Sequence, residues 1–254
     1  MENRPIYNNG EIYDIQNANN REDINFYKAM VKKYGGPVLE LACGTGVLSI
    51  PIAKDGYNVT GIDLSNDMLI QAKKKANGIG NISFINGNMS EFKLDRKFKT
   101  IFVGFNSVCH LFSYNEIEGM INCVKEHMED DGVFVFDCFI PSISYLSRDK
   151  NKYYPVIDEN GLKITETNEY NSIEQINHIK WYYEYKDEQW IEDLDMRMFY
   201  PQEIQNYISI SGMKIIEKYG NHNFGEYGRK NIFQIYVCKK NINRNNCITI
   251  ASTG

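Results

Sequence analysis

The chain has 254 residues, enough for a full hydrophobic core, and its 43% hydrophobic and 24% charged residues are ordinary for a soluble globular protein. Its formal net charge is −5 and it has no long basic run, so we do not expect a nucleic-acid partner. The sequence shows no apolar stretch of membrane-spanning length, no N-terminal signal segment and no Cys-x-x-Cys pair among six scattered cysteines. These absences argue against a membrane protein, a disulfide framework and a zinc site, and favour a cytoplasmic protein.

Helices and strands alternate in the first part of the chain. The spacing of apolar residues predicts an amphipathic helix over Arg21–Tyr34, ended by Gly35-Gly36-Pro37. The later predicted elements are strands over residues 38–42, 58–63, 81–85, 100–105 and 132–138, and helices over 46–55, 66–76 (with Ser65 as N-cap) and 115–128. This alternation predicts an α/β fold with a doubly wound, mostly parallel sheet covered by helices on both faces.

The rhythm changes after Pro141. Runs rich in Tyr, Trp and Ile over residues 152–158, 162–170, 174–185 and 189–199 are separated by turn residues, including Asn160-Gly161, a strong hairpin pattern. We therefore predict a small antiparallel β-sheet inserted over residues 143–196. The core, begun over 1–142, resumes over 197–240 with a helix (202–211) and two strands (214–219 and 232–238), followed by a loose tail over 241–254.

A glycine turn joins the first predicted strand to the next helix, and Asp63 ends the second strand. Glycines there let a ligand approach the backbone, and an acidic side chain at that strand end accepts hydrogen bonds from ribose hydroxyls. A dinucleotide motif would need a third glycine where this chain has Ser49, and Glu40 would repel a pyrophosphate. Glu40 instead suits a ligand that carries an ammonium group, as S-adenosylmethionine does.

Four motifs together resemble the class I S-adenosylmethionine-dependent methyltransferases. They are Val38-Leu-Glu-Leu-Ala-Cys-Gly-Thr-Gly46, Gly61-Ile-Asp-Leu-Ser65, Asn86-Gly-Asn-Met89 and Asp131-Gly-Val-Phe-Val-Phe136. The resemblance covers residues 20–140 and, less sharply, 200–240. It implies a seven-stranded Rossmann-like methyltransferase sheet, S-adenosylmethionine as cofactor and transfer of a methyl group to N or O of a small-molecule acceptor.

Carried over to this chain, the resemblance implies a set of cofactor-binding residues. Glu40 and the glycines would lie at the methionine end, Asp63 at the ribose and Leu64 at the adenine. Asn88 stands where the family usually has Asp, which puts one contact to the adenine amino group in doubt. The full set is Glu40, Ala42, Gly44, Gly46, Asp63, Leu64, Met68, Asn88, Met89, Phe105 and Asn106.

The acceptor side is less defined. His110 follows the fourth strand, as in the resembling amino-sugar N-methyltransferases, and is our candidate base; a structural role is the alternative. Tyr7 and Tyr13 precede the first predicted helix. The resemblance implies that this N-terminal segment folds over the cofactor, so we expect the two rings to contact the cofactor or the acceptor; docking of the segment on the core is the alternative. Arg197, Tyr200 and His222 are further candidates for acceptor binding, although Arg197 has acidic neighbours with which it can pair.

Several alternatives stay open. An RNA or protein methyltransferase would share the chemistry, although the sequence lacks an Asn-Pro-Pro-Tyr or Pro-Cys motif. A non-catalytic S-adenosylmethionine-binding regulator and an NAD-dependent oxidoreductase belong to other classes. We expect a small-molecule acceptor as partner, and a homodimer is compatible with the sequence.

Overall fold

The computed structural model describes residues 1–19 and 21–241, and these residues form two β-sheets with helices around them. Residues 242–254, nearly all of the predicted tail, lie outside the described residues. The helices are α1 (Gly10–Gln16), α2 (Arg21–Tyr34), α3 (Ser49–Lys54), α4 (Asn66–Lys75), α5 (Tyr114–His127), α6 (Ile143–Leu146), α7 (Pro201–Ile210) and a 3₁₀ helix (Ser107–His110). The strands are β1 (Glu2–Arg4), β2 (Val38–Leu41), β3 (Val59–Asp63), β4 (Ile82–Asn86), β5 (Phe98–Val103), β6 (Met128–Phe139), β7 (Tyr154–Glu159), β8 (Leu162–Asn171), β9 (Ile176–Tyr185), β10 (Glu188–Arg197), β11 (Met213–Tyr219) and β12 (Phe233–Lys240).

The core sheet has the strand order β11-β12-β6-β5-β2-β3-β4, and β12 is its antiparallel strand. Helices α2 and α3 pack on one face of this sheet, and α5 and α7 pack on the other. All four residues of β2 are buried, as expected for a central strand covered on both faces. Each fully buried apolar side chain of this core contributes about 1.5–3 kcal/mol to folding. The predicted α/β class and doubly wound sheet are confirmed.

Local sequence signals account for the helix starts. The hydroxyl of Ser65 accepts the N–H of Met68, so Ser65 is the predicted N-cap of α4. Helix α5 begins with a capping box, in which Ser113 and Glu116 satisfy each other's backbone N–H groups. Among the described residues, no helix is long and apolar enough to cross a membrane.

Two predicted boundaries shift because the backbone turns to the left-handed region. Ala42, Gly44 and Gly46 have φ of 55°, 51° and 77°, so the turn after β2 is longer than predicted and α3 begins only at Ser49. Phe105 and Asn106 have φ of 56° and 60°, which explains why β5 ends at Val103 rather than at residue 105.

The inserted sheet has the order β1-β10-β9-β8-β7, and we call it the cap sheet. Its four inserted strands match the prediction, but β1 from the N-terminus adds a fifth strand, parallel to β10. Three residues are too few to show a periodic pattern, and for this reason the sequence did not predict β1. The strand is stabilised by pairing with β10, which lies far along the chain. Across the inner face of the cap sheet, Glu166, Trp181 and Glu192 stand opposite one another on β8, β9 and β10.

Candidate active site

The carboxyl ends of β2 and β3 form the floor of a cavity of about 550 Å³, which we call the first cavity. The two carboxylate oxygens of Asp63 accept the N–H of Gly44 at 2.7 Å and that of Ser65 at 2.8 Å. Burial raises the pKa of Asp63, and these backbone donors oppose that rise. Because each carboxylate oxygen has a second lone pair, Asp63 can still accept hydrogen bonds from the hydroxyls of a ligand.

Most of the residues predicted to bind the cofactor line this first cavity. Leu64 is 72% exposed and presents a large apolar surface at the mouth of the first cavity. Met68 is buried and forms part of the cavity wall. Asn88 uses its side-chain oxygen to accept the N–H of Ser90 at 2.9 Å. The predicted residues in the lining are Ala42, Gly44, Asp63, Leu64, Met68, Asn88, Met89 and Phe105.

Three predicted cofactor residues do not line the first cavity. Glu40 is buried, accepts a hydrogen bond from the Ser49 hydroxyl and, because of its burial, has its pKa raised to about 8. At Gly46, a Cβ would lie 3.0 Å from Ile50, so the close packing of α3 requires a glycine there. Asn106 lines a neighbouring cavity instead. Glu40 and Gly46 therefore support the turn from behind.

The N-terminal segment covers the first cavity. Asp14 on α1 accepts hydrogen bonds from Thr45 at 2.5 Å, from Gln71 at 3.0 Å and from Lys75 at 2.6 Å. These contacts attach α1 to the glycine turn and to α4. The ring of Tyr13 then lies 3.7 Å from the position of a Cβ on Gly44, so this aromatic ring reaches the glycine turn.

Tyr7 and His110 meet at the far end of the first cavity. The Tyr7 oxygen lies 3.0 Å from Nε2 of His110, and the two rings are perpendicular at 5.6 Å. Burial lowers the pKa of His110, and its hydrogen bond to the Asp195 backbone opposes this. Burial also raises the pKa of Tyr7. At neutral pH the Tyr7 phenol is therefore protonated and the His110 imidazole is neutral. The phenol O–H donates a hydrogen bond to the lone pair on Nε2.

A second cavity of about 740 Å³ lies between the core sheet and the cap sheet. Tyr7, Tyr13, Phe105 and His110 line both cavities, so these four side chains mark the boundary between them. The wall of the second cavity is mainly apolar, with Ile179, Leu194, Met196, Met198, Phe139 and Phe233 among its residues. A ligand in the first cavity and a ligand in the second would meet at this boundary.

One end of the second cavity carries charged groups. Glu166 is 6% exposed and accepts hydrogen bonds from Arg148 at 2.9 Å and from Trp181 at 3.2 Å. The Arg148 guanidinium also lies over the rings of Tyr145 and Tyr154, at 4.6 and 4.4 Å. This arrangement places a paired carboxylate and a stacked cation in the wall, where polar groups of a ligand can be recognised.

The remaining acceptor candidates divide into two groups. His222 lines the second cavity, but its two ring nitrogens are bonded to Asp23 and Asp137. Arg197 lines neither of the two cavities; it donates to the Phe112 carbonyl at 2.8 Å and to Glu203 at 2.7 Å.

Tyr200 is also absent from both linings and is 40% exposed just before α7. Arg197 is held by groups at the start of α5 and on α7, and Tyr200 directly precedes α7, so contact of these two side chains with an acceptor stays a prediction. The predicted pairing of Arg197 with an acid is present, although the partner is Glu203.

The structure adds site residues that the sequence did not single out. Asp137 is fully buried at the end of β6, and a charged residue inside the apolar run Val133-Phe-Val-Phe-Asp137 was a usable signal. Glu166 and Arg148 carried no such signal, because an acid and a base on a half-exposed sheet are usually solvated. Asp14 likewise depends on contacts with residues far along the chain.

Comparison with known proteins agrees with this geometry. Residues 38–132 match the model of the Methyltransferase domain family, a range that contains the glycine turn, Asp63 and His110. The dTDP-3-amino-3,4,6-trideoxy-alpha-D-glucopyranose N,N-dimethyltransferase of Streptomyces venezuelae is 33% identical over 100 residues, which are 39% of this chain and 41% of that protein. The chain spans about half or less of the length of the curated relatives it matches first.

Solved structures extend the likeness over most of the chain. The CcbJ methyltransferase of Streptomyces caelestis is similar with a TM-score of 0.78 and 21% identity, over 86% of this chain and 90% of that one. An S-adenosylmethionine-dependent methyltransferase of Clostridium acetobutylicum is similar with a TM-score of 0.76 and 21% identity, over 91% and 96%. The predicted resemblance to Rossmann-like methyltransferases is confirmed, and the matched share of the chain is larger than the predicted core alone.

Proposed function

We propose that this chain, which carries a methyltransferase domain over residues 38–132 and the fold of S-adenosylmethionine-dependent methyltransferases, is an enzyme that methylates N or O of a small-molecule acceptor. The observation that carries the proposal is the arrangement of two cavities that meet at Tyr7 and His110. One has the groups that a nucleoside needs, and the other has the volume and the mixed apolar and charged wall that an acceptor needs.

The first cavity fits S-adenosylmethionine. Asp63 would accept hydrogen bonds from the ribose hydroxyls, and Leu64, Met68 and Met89 would pack against the adenine. The left-handed Gly44 presents its backbone to the methionine end with no Cβ in the way. When bound, the cofactor supplies a methyl group on a positively charged sulfur, which is open to direct displacement.

The boundary residues act on the acceptor. A direct displacement requires the acceptor atom in line with the methyl group, and Tyr7, Tyr13 and Phe105, which line both cavities, would restrict the position of the acceptor. The imidazole of His110 is neutral, and the lone pair on its Nε2 accepts a hydrogen bond from the Tyr7 hydroxyl. A proton lost by the acceptor would reach Nε2 of His110 directly, after the phenol moves aside, or through the phenol oxygen.

Within this function we favour an amine acceptor on a sugar. The Streptomyces venezuelae relative is named as an amino-sugar N,N-dimethyltransferase. An amine that arrives as an ammonium ion must lose a proton to expose its lone pair, and the Tyr7–His110 pair provides an acceptor for that proton. The paired Glu166 and Arg148 offer partners for polar groups at the other end of the molecule. A cytoplasmic location stays a prediction from the sequence.

Binding of S-adenosylhomocysteine tests the cofactor half of the proposal. Titration calorimetry should detect binding to the wild-type protein, and Asp63→Ala and Asp63→Asn should weaken it by about a hundredfold or more, since the ribose contacts are lost. Asp187→Ala, in the exposed turn between β9 and β10, is the control and should bind as the wild type does. No binding to the wild type at millimolar ligand would reject the proposal.

Turnover tests the acceptor half. Hexosamines with the amine at carbon 2 or carbon 3, offered free and as thymidine diphosphate esters, would be incubated with S-adenosylmethionine and analysed for methylated product by mass spectrometry. Methylation of at least one compound is expected. Tight S-adenosylhomocysteine binding without any methylated product would favour the non-catalytic binding protein instead.

A further inference from the structure

His222 lies in the loop between β11 and β12, is 5% exposed and borders the second cavity. Its Nδ1 is 3.0 Å from a carboxylate oxygen of Asp23, and its Nε2 is 3.1 Å from a carboxylate oxygen of Asp137. A neutral imidazole has one N–H, whereas hydrogen bonds to two carboxylates require two. The geometry therefore identifies the ring as an imidazolium, with both nitrogens used and neither free to act as a base on an acceptor.

Asp137 is the buried partner of this cation. Its side chain is fully buried and accepts hydrogen bonds from the Tyr27 hydroxyl at 2.6 Å and from the Asn106 backbone N–H at 2.7 Å, in addition to His222. A buried carboxylate without a cation is strongly disfavoured. Within the described part of the chain, the ion pairs of Asp137 involve His222 alone, so His222 is the cation that compensates this buried side chain there.

The Asn106 N–H links this ion pair to the boundary of the cavities. Phe105 and Asn106 are consecutive non-glycine residues in the left-handed region, a conformation that persists only where surrounding contacts hold it. Phe105 lines both cavities, and the 3₁₀ helix that ends in His110 begins at Ser107. The bond from Asn106 to Asp137 is thus a direct restraint on the wall that separates the two cavities.

We infer that His222 is a positioning residue: as an imidazolium it donates to Asp137 and fixes its side chain, and Asp137 holds the Phe105–Asn106 turn in the shape that both cavities need. The inference rests on the proposed function only for the use of S-adenosylhomocysteine as a probe. A metal ion bound by Asp23, Asp137 and His222 together would require both carboxylates near the same ring nitrogen of His222. Asp23 contacts Nδ1 and Asp137 contacts Nε2, so the three side chains do not form such a site.

The same arrangement makes the wall sensitive to pH. Burial lowers the pKa of His222, but the hydrogen bonds and charges of Asp137 and Asp23 outweigh this and raise it to about 9. The groups that face His222 are Asp23 and the rings of Phe26 and Tyr27 from α2, Asp137 from β6 and Phe233 from β12. Loss of the imidazolium proton above that pH leaves one carboxylate without its donor.

The first test is S-adenosylhomocysteine affinity as a function of pH. Wild-type affinity should fall as the pH rises through about 9, and His222→Gln should bind about tenfold more weakly at pH 7 with a flat profile over the same range, since it has no charge to lose. His178→Gln is the matched control, because His178 also pairs with an aspartate, Asp195, but on the exposed outer face of the cap sheet. It should follow the wild type. Equal affinities and equal profiles for wild type and His222→Gln would overturn the inference.

The second test does not need the cofactor site. In nuclear magnetic resonance spectra of the wild-type protein, the His222 ring should show two N–H groups near neutral pH, and the backbone amide of Asn106 should shift with the same titration as the ring. An Asn106 amide that does not respond to the His222 titration would overturn the inference, whether or not His222→Gln folds. A wild-type protein that fails to bind S-adenosylhomocysteine would reject the proposed function, and the Asn106 titration would still decide the positioning role.

Discussion

The two cavities are built in different ways. The floor of the first cavity consists of backbone: the Asp63 carboxylate holds the N–H groups of Gly44 and Ser65, and these residues lie on two adjacent strand ends of one sheet. The second cavity is enclosed by side chains from α1, from the segment around Arg148, from four strands of the cap sheet (β7 to β10) and from the loop that carries His222. The floor of the first cavity is therefore set by two short stretches of chain, residues 42–44 and 63–65, whereas the second cavity depends throughout on how distant segments pack.

This difference suggests a division of roles. A cavity whose shape is set by backbone turns tolerates little change and suits a constant ligand such as a cofactor. A cavity lined by side chains can change its ligand by substitution while the fold stays the same, which suits an acceptor site. The Tyr7–His110 pair belongs to both cavities, and variants on either side of it should separate cofactor binding from catalysis.

The largest effect is expected at the boundary itself. His110→Gln should lower kcat for an identified acceptor by about a hundredfold, because the lone pair that takes up the proton of the acceptor is lost. S-adenosylhomocysteine affinity should change by less than about threefold, since Asp63 and the glycine turn are untouched. Unchanged turnover would remove the proton-transfer role. His178→Gln, at an exposed histidine, should leave kcat as in the wild type.

The next effect concerns the second cavity alone. Glu166→Ala removes the buried partner of Arg148 and Trp181 and should lower the free energy of unfolding by about 2 kcal/mol, measured by urea denaturation. Cofactor-site affinity should not change, because Glu166 borders only the second cavity. Glu169→Ala, which breaks an exposed pair with Lys150, should change stability much less than Glu166→Ala does, because water screens that pair. Weakened S-adenosylhomocysteine binding by Glu166→Ala would contradict the separation of the cavities.

A smaller effect should appear in the first cavity alone. Gly44→Ala and Gly161→Ala both place a Cβ on a left-handed residue, with φ of 51° and 76°, and each should cost about 1 kcal/mol of stability. The Cβ at Gly44 would face the Tyr13 ring, whereas that at Gly161 meets no atom within 4 Å. We expect about tenfold weaker S-adenosylhomocysteine binding for Gly44→Ala only, measured by calorimetry. Equal binding by the two variants would show that the turn is not a cofactor contact.

The smallest effect is the pH dependence of stability. The pKa of His222 is raised from 6.5 to about 9 on folding, so its contribution is fully present below about pH 6.5 and is lost as the pH rises through about 9. After allowance for solvent screening, we expect the free energy of unfolding of the wild type to fall by about 1 kcal/mol more than that of His222→Gln between pH 7 and pH 9.5, measured by urea denaturation. Parallel curves would mean that the imidazolium does not stabilise the fold.

Much of the cofactor half was predictable from the sequence. The glycine turn, Asp63, Ser65 as an N-cap and the alternation of strands and helices are local patterns, because backbone conformation and burial on both faces of a strand restrict which residues can stand there. Glu40 shows the limit of this reasoning. Its residue type suggested a ligand contact, whereas in the structure its side chain accepts a hydrogen bond from Ser49 and does not line the first cavity, so that contact stays a prediction.

The acceptor half was only partly predictable. The inserted strands and the candidates Tyr7, Tyr13 and His110 followed from pattern and resemblance, and the structure brings these three side chains to the boundary. Arg197 was expected near a ligand, yet the start of α5 and the helix α7 supply partners for its guanidinium. Nothing in the neighbouring sequence shows such partners, because they lie elsewhere in the chain.

The sequence by itself thus determined the sheet, the cofactor turn and the acid at the end of β3, since each depends on a few neighbouring residues. Only the tertiary structure decided that β1 completes the cap sheet, that Glu166 and Arg148 lie in the second cavity, and that His222 is clamped between Asp23 and Asp137. These features are contacts between residues many positions apart. A side chain's partners across such distances are set by the packing of whole elements, which no local pattern records.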